Sequence, residues 1–279
     1  MTCPDHLYKY RAFDTRTLEL ILENKVYFAD PNNFNDPHEF QPELVLSDDP
    51  FLNMCVLHSL INQNQHNRNM THQSENYPES ANIDSEYDAF LTDLKSQQIF
   101  EKEYSIETVQ EKTVIQLKEY LSRGVLSLSG SKESTLMWSH YADNHFGLCL
   151  GYTIPEVMTD KIYKVNYDGS RFVQSKDIMI MLGSNTAARQ RIINSSLVTK
   201  SECWAYEEEY RLFEVKPGVT DIGLDLKEII FGLRMKKSVR DAIINAIKHS
   251  DNKRLSEVKF FKMEVLNPGG FELHAVPID

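Results

Sequence analysis

The chain is poor in the features that most quickly assign a function. Its four cysteines, Cys3, Cys55, Cys149 and Cys203, are scattered over 279 residues. None forms a CxxC pair, so neither a zinc knuckle nor a paired-thiol redox site is indicated, and the cysteines read as reduced thiols. No apolar run approaches the roughly 18 residues that would cross a bilayer. The opening MTCPDHLYKYRAF has no apolar stretch of the signal-peptide kind. A cytoplasmic protein with no membrane partner is therefore expected. Internal repeats are missing too. Positive charge is scarce: 30 Lys and Arg stand against 41 Asp and Glu, a net charge of −11. That balance argues against broad electrostatic binding to nucleic-acid backbones.

The remaining composition is ordinary. Hydrophobic residues make up 41% and charged residues 25%, enough for a sizeable core. LYKYRAF at 7–13 reads as a strand. TRTLELILEN at 15–24 places Leu18, Ile21 and Leu22 at i, i+3 and i+4, a helical stripe that Asp14 or Thr15 can cap and Asn24 can end. KVYFAD reads as a second strand, closed by the turn-forming run PNNFNDP. Residues 47–123 have a different character, with helices expected near 50–61 and 86–122 and a polar, mobile run at 62–85. From 124 onward strands return, interrupted by helices at 134–145, 174–198 and about 239–249. The fold class expected is α+β, a single domain over 1–279. Its core is 1–46 and 124–279, with a mixed or antiparallel central sheet, and 47–123 is a helical insertion.

Three stretches carry residues suited to chemistry. CWAYEEEYRLF at 203–213 reads as a strand. On a strand, Glu207, Glu209 and Arg211 share one face, while Trp204, Tyr206, Glu208, Tyr210 and Leu212 share the other. Two neighbouring carboxylates raise each other's pKa unless a cation or a ligand compensates. They are either a solvated face or a site held on a rigid element. MWSHYADNHFGLCLGY at 137–152 crowds Trp138, His140, Tyr141 and His145 into one turn. The two histidines are five apart, not the i, i+4 pair of a helical metal site, so no metal is expected. FNDP at 34–37 is a turn, with Asn35 and Asp36 bonding to backbone and Pro37 locking its exit.

Taken together, these motifs resemble the bacterial domain-of-unknown-function family DUF2971. Its pattern has an opening Tyr-Lys-Tyr (Tyr8 to Tyr10), the Phe-Asn-Asp-Pro turn, a Met-Trp-x-x-Tyr-x-x-x-x-x-Gly block (Met137 to Gly147) and a Trp-x-Tyr-Glu-x-Glu-x-Arg strand (Trp204 to Arg211). The chain also resembles the ADP-ribosyltransferase fold, through its strand–helix–strand opening and a late Glu-x-Glu. That likeness implies an NAD-consuming enzyme in which Glu209 stabilises a cationic transition state and Glu207 activates the acceptor. Arg11 would pair with the pyrophosphate, and Tyr10 and His140 would also contact NAD. Ser127 or Ser129 would correspond to the middle-strand serine, with Ser129 the one taken as a contact, and Trp138 or Tyr141 would stack on nicotinamide or adenine. The partners would be a small-molecule nucleotide and an acceptor, protein or nucleic acid, in a defence or toxin setting. Two rival readings remain. One is a non-enzymatic nucleotide- or peptide-binding module; the other is a nuclease-type effector using His140 and His145.

Overall fold

The computed structural model describes residues 4–69 and 104–278. The expected polar run at 62–85 and the first part of the helix expected at 86–122 fall largely outside those residues. The chain divides into two compact units. The first comprises 1–30, 123–167 and 201–279; the second comprises 31–122 and 168–200.

The first unit is built on an eight-stranded mixed sheet. Its strands are β1 (His6–Arg11), β4 (Gly124–Ser129), β5 (Leu148–Thr153), β6 (Tyr163–Lys164), β8 (Glu209–Glu214), β10 (Asp225–Phe231), β11 (Lys259–Val265) and β12 (Leu273–Pro277). Their order is β12-β11-β10-β5-β1-β4-β8-β6. The pairings are antiparallel except for β10 with β11. A two-stranded ribbon pairs β2 (Val26–Phe28) with β9 (Gly218–Thr220).

Alternation sorts the strand side chains into two layers. One face carries Leu7, Leu126, Leu128, Leu148, Leu150, Leu212 and Ile229, packed on Ile21 of helix α1 (Thr15–Glu23) and on Ile243 and Ile247 of helix α7 (Lys237–Lys248). The opposite face carries Tyr10, Cys149, Ile230, Met263 and Ala275, covered by Met137, Trp138 and Ala142 of helix α4 (Thr135–Tyr141) and its end. Fully burying one side chain of Leu or Phe size stabilises by about 1.5–3 kcal/mol, so both layers hold the sheet.

Local sequence explains the helix ends. Asp14 caps α1 by accepting from the Thr17 N–H at 2.6 Å. Asn24 ends α1 in the left-handed conformation at φ 51°, which asparagine tolerates well. After α4 the chain makes three left-handed residues in succession, Asp143, Asn144 and His145. Gly147 follows because a Cβ there would lie 2.2 Å from the Arg11 carbonyl oxygen and 2.8 Å from that of Ala142.

The second unit joins two distant segments. Strands β3 (Glu43–Val45) and β7 (Phe172–Gln174) pair in parallel. Around them stand helices α2 (Pro50–Asn69), α3 (Ile106–Tyr120), α5 (Ser175–Leu182) and α6 (Thr186–Leu197). Of the helical insertion expected at 47–123, α2 and α3 are the described parts. The compact unit is wider, since it also takes in 31–46 and 168–200. The Phe-Asn-Asp-Pro turn lies here: the Asp36 carboxylate accepts from the His38 N–H at 2.8 Å. Glu39 just beyond it pairs with Lys200 at 3.3 Å, both side chains 4% exposed.

Candidate functional site

The stretch read as one strand from 203 to 213 is two elements. Glu202–Glu207 form a 3-10 turn, Glu208 is left-handed (φ 45°, ψ 49°), and β8 begins only at Glu209. The alternation of Trp204, Tyr206 and Glu208 against Ala205 and Glu207 is therefore not a strand pattern. The outcome for the carboxylates survives for a different reason. The left-handed Glu208 reverses the chain locally, so Glu207 and Glu209 are both buried, 4% exposed each, while Glu208 is exposed. A non-glycine residue in that region costs roughly 1–2 kcal/mol, and such outliers concentrate where a site is being shaped.

Each buried carboxylate is held differently. The Arg211 guanidinium donates through Nε to Glu209 Oε1 at 2.8 Å and through a terminal nitrogen to Glu209 Oε2 at 2.9 Å, a two-pronged bond between side chains 3% and 5% exposed. The Tyr141 hydroxyl donates to Glu207 Oε1 at 2.7 Å. Main chain fixes both residues. Ser129 Oγ donates to the Glu207 carbonyl at 2.7 Å, Gly130 N–H donates to that of Glu208, and the Glu209 N–H donates to the Tyr167 hydroxyl at 2.9 Å. At the rim His140 Nδ1 lies 2.9 Å from the Tyr206 hydroxyl, their rings edge to face at 5.9 Å, and Trp204 leans on Tyr206 at 6.0 Å.

Strand register places this cluster at one end of a polar row. Glu228, Gly151, Tyr8, Ser129 and Glu209 stand in register across β10, β5, β1, β4 and β8, on the face that α4 covers. Lys132 binds the Glu228 carboxylate at 3.0 Å and lies over the rings of Tyr8 and Phe261.

The expected site residues thus separate. Glu207, Glu209, Tyr141, Ser129 and His140 come together. Ser129 is 2% exposed and its hydroxyl serves the Glu207 main chain. Trp138 is fully buried, its indole N–H donating to the Lys132 carbonyl at 2.9 Å, so it is a support and no stacking platform. Tyr10 is 5% exposed and its hydroxyl donates to the Ser131 carbonyl, which pins the 130–133 loop; burial raises its pKa. Arg11 does not join the carboxylates. It is three residues beyond Tyr8 on β1, so it points to the opposite face, and its Nε donates to Thr17 of α1 at 3.2 Å.

His140 and His145 share no hydrogen bond or ring contact. His145 stacks on Trp138 at 6.4 Å with Nε2 beside Ser139 Oγ, and burial and then Arg234 push its pKa down. Cys55 and Cys149 are buried and Cys203 is exposed. The described residues contain no grouping of His, Cys, Asp and Glu suited to a metal and no helix long and apolar enough to cross a membrane. Sequence reasoning missed Tyr167 and Tyr206 as partners of the site. Tyr206 was signalled only by the aromatic density beside the glutamates, and Tyr167, 42 residues before Glu209, carried no such signal.

This geometry lies in the part of the chain that resembles known sequences. Residues 137–212 match the family described as "Protein of unknown function (DUF2971)". The match takes in Met137 to Gly147 and Trp204 to Arg211, while the Tyr-Lys-Tyr opening and the Phe-Asn-Asp-Pro turn lie outside it. The DUF2971 segment therefore supplies Tyr141, Glu207, Glu209 and Arg211, and β4 and β1 complete their surroundings. No curated protein and no solved structure matches the chain. The likeness to an ADP-ribosyltransferase core gains no support from these comparisons.

Proposed function

We propose that the Glu207–Glu209 cluster is the working site of a nucleotide-using enzyme that transfers a ribosyl group from NAD. The observation that carries this reading is the pair of buried carboxylates, one clamped by a guanidinium and the other bonded by a phenol, beside a half-buried aromatic rim. Burying a charge costs free energy unless it is paired and hydrogen-bonded, and such groups concentrate at functional sites.

The roles follow from the bonds. Both oxygens of Glu209 are engaged by Arg211, so this pair positions the strand end. Glu207, oriented by Tyr141, is the carboxylate that faces a developing positive charge on the ribose, the kind of fixed electrostatic partner that lowers such a barrier. The ribose–nicotinamide C–N bond breaks and its electron pair leaves with nicotinamide. The acceptor's lone pair forms the new bond, and its proton passes to the exposed His140 imidazole. Tyr206 and Trp204 supply a flat aromatic face for a base or nicotinamide ring.

The second reading is a non-enzymatic nucleotide-binding module. The closed Glu209–Arg211 fork favours it, because a fully satisfied pair needs no ligand. One experiment separates the two: incubation with NAD, following nicotinamide release and transfer of labelled ADP-ribose. The enzyme reading expects turnover that falls about 100-fold or more in Glu207→Gln with the melting temperature nearly unchanged. NAD that binds but is never consumed by the wild type would establish the binding module instead.

A further inference from the structure

His145 follows α4 and takes no part in the Glu207 cluster. It is the third left-handed residue of its turn, with φ 72°. The turn folds back over the end of the helix. The Asn144 N–H donates to the Ser139 carbonyl at 3.3 Å, the His145 N–H to that of Trp138 at 3.1 Å, and the Gly147 N–H to that of Ala142 at 2.8 Å. The imidazole thereby stacks on the indole of Trp138, ring centroids 6.4 Å and planes 15° apart. The next turn is seated just as closely: a Cβ on Gly232 would lie 2.2 Å from the His145 carbonyl oxygen.

The hydrogen bonds fix which form of the ring fits. Ser139 Oγ lies 3.1 Å from His145 Nε2 and donates to the Thr135 carbonyl at 3.0 Å. The serine hydrogen is committed to that carbonyl, so the serine oxygen accepts from Nε2–H. The neutral ring therefore carries its one hydrogen on Nε2. Nδ1 is buried and has no hydrogen-bond partner. A proton added there makes a buried N–H without an acceptor, on a ring that has also become a cation, and both are costly.

The charged neighbour has the wrong sign to help. Arg234 donates its N–H to the His145 carbonyl at 3.0 Å, and its guanidinium lies over the Phe146 ring at 5.8 Å. From α4 the ring meets Trp138 and Ser139, which carry no charge, and Asp143 on the same turn is exposed. Burial and then Arg234 accordingly hold the imidazole pKa down. We infer that His145 is an acid-sensitive latch on the end of α4: the neutral ring closes the 143–147 turn on Trp138, and the protonated ring releases it. A released ring takes its proton near the ordinary pKa of about 6.5, and the closed ring only at lower pH. Closure is therefore favoured in full above about pH 6.5, weakens as pH falls below it, and levels off below the value of the closed ring. Tyr141 is the last residue of α4 and donates to Glu207 Oε1 at 2.7 Å, so release loosens the bond that orients that carboxylate. The latch does not depend on the NAD reading; only its effect on turnover rests on it.

Proton NMR of the assigned His145 Cε1–H in the full wild-type chain, over about pH 5–8, reads the ring directly. A midpoint below about 6.5 is expected. Emission from Trp138 is read in a Trp204→Phe background, where it is the sole tryptophan. It should move to longer wavelength over the same interval as the buried indole loses its cover. The move should vanish in His145→Asn, which suits the left-handed backbone and does not titrate. Between about pH 7.5 and about pH 5.5, on either side of the ordinary histidine value, the wild-type melting temperature should fall a few degrees further than that of His145→Asn. If His145→Asn fails to fold, the NMR and emission readings of the chain that keeps His145 still decide. A midpoint at or above about 6.5 overturns the latch. So does emission that is quenched without moving, because the ring would then be titrating in place.

Discussion

Glu207 and Glu209 are two residues apart and equally buried, yet their replacement by glutamine should differ in cost. Glu209 receives both prongs of the Arg211 guanidinium at 2.8 and 2.9 Å. Removing the charge breaks the buried fork between Glu209 and Arg211, and breaking such a pair costs about 3–5 kcal/mol. Glu209→Gln should therefore lower the denaturant midpoint strongly, and Arg211→Lys should do the same because an ammonium cannot reproduce the fork. Glu207→Gln keeps an amide oxygen for the Tyr141 hydroxyl and should cost no more than about 1 kcal/mol, the scale of one hydrogen bond. Urea titrations of the two variants side by side check the asymmetry, and equal destabilisation would show that Arg211 does not discriminate between them. Much of this was legible from the residues: the Glu-x-Glu-x-Arg spacing placed the three groups together. Which glutamate the arginine would take was not, because that depends on Glu208 being left-handed, a conformation glutamate rarely signals.

Elements with a strong period were readable, and elements one turn long were not. Helix α1 shows Leu18, Ile21 and Leu22 on one stripe between Asp14 and Asn24, and the structure runs Thr15–Glu23. The 3-10 turn Glu202–Glu207 reads as a strand because six residues are too few to reveal a helical period, and Trp204 and Tyr206 mimic alternation. The α1 cap yields a pH prediction. The Thr17 N–H bonded to Asp14 holds its carboxyl below the usual range. The folded state therefore favours the ionised form. That stabilisation is complete above the unfolded carboxylate pKa of about 3.9 and is lost as pH falls through the lower folded value. Asp14→Ala should cost about 1 kcal/mol at neutral pH, the usual magnitude for a lost N-cap. The cost should be the same at about pH 6 and shrink below about pH 4. Denaturation curves for wild type and variant across that range test it, and a gap that widens on acidification would refute the cap assignment.

At the scale of the whole molecule, the strand–helix–strand opening and the late strands were legible, but the partition into two units was not. Strand β3 pairs with β7, and Glu39 with Lys200, across spans too long for any local pattern to reveal. Net charge, by contrast, is read directly from the sequence and bears on the class of partner. A chain of charge −11 repels the phosphate backbone over a Debye length of about 8 Å at physiological salt, and no nuclease-like histidine pair offsets this, since His140 and His145 are engaged with Tyr206 and Ser139 separately. Binding to a nucleic-acid backbone neutralises several phosphates and shows a correspondingly steep salt dependence. Fluorescence anisotropy with a labelled random-sequence oligonucleotide, single- or double-stranded, should therefore detect no binding at micromolar protein and 150 mM salt, roughly the range in which non-specific binders associate. Lowering the salt to about 50 mM should change little. Binding that strengthens by three orders of magnitude over that interval, as a protein contacting six or more phosphates would show, would return a nucleic-acid substrate to the front.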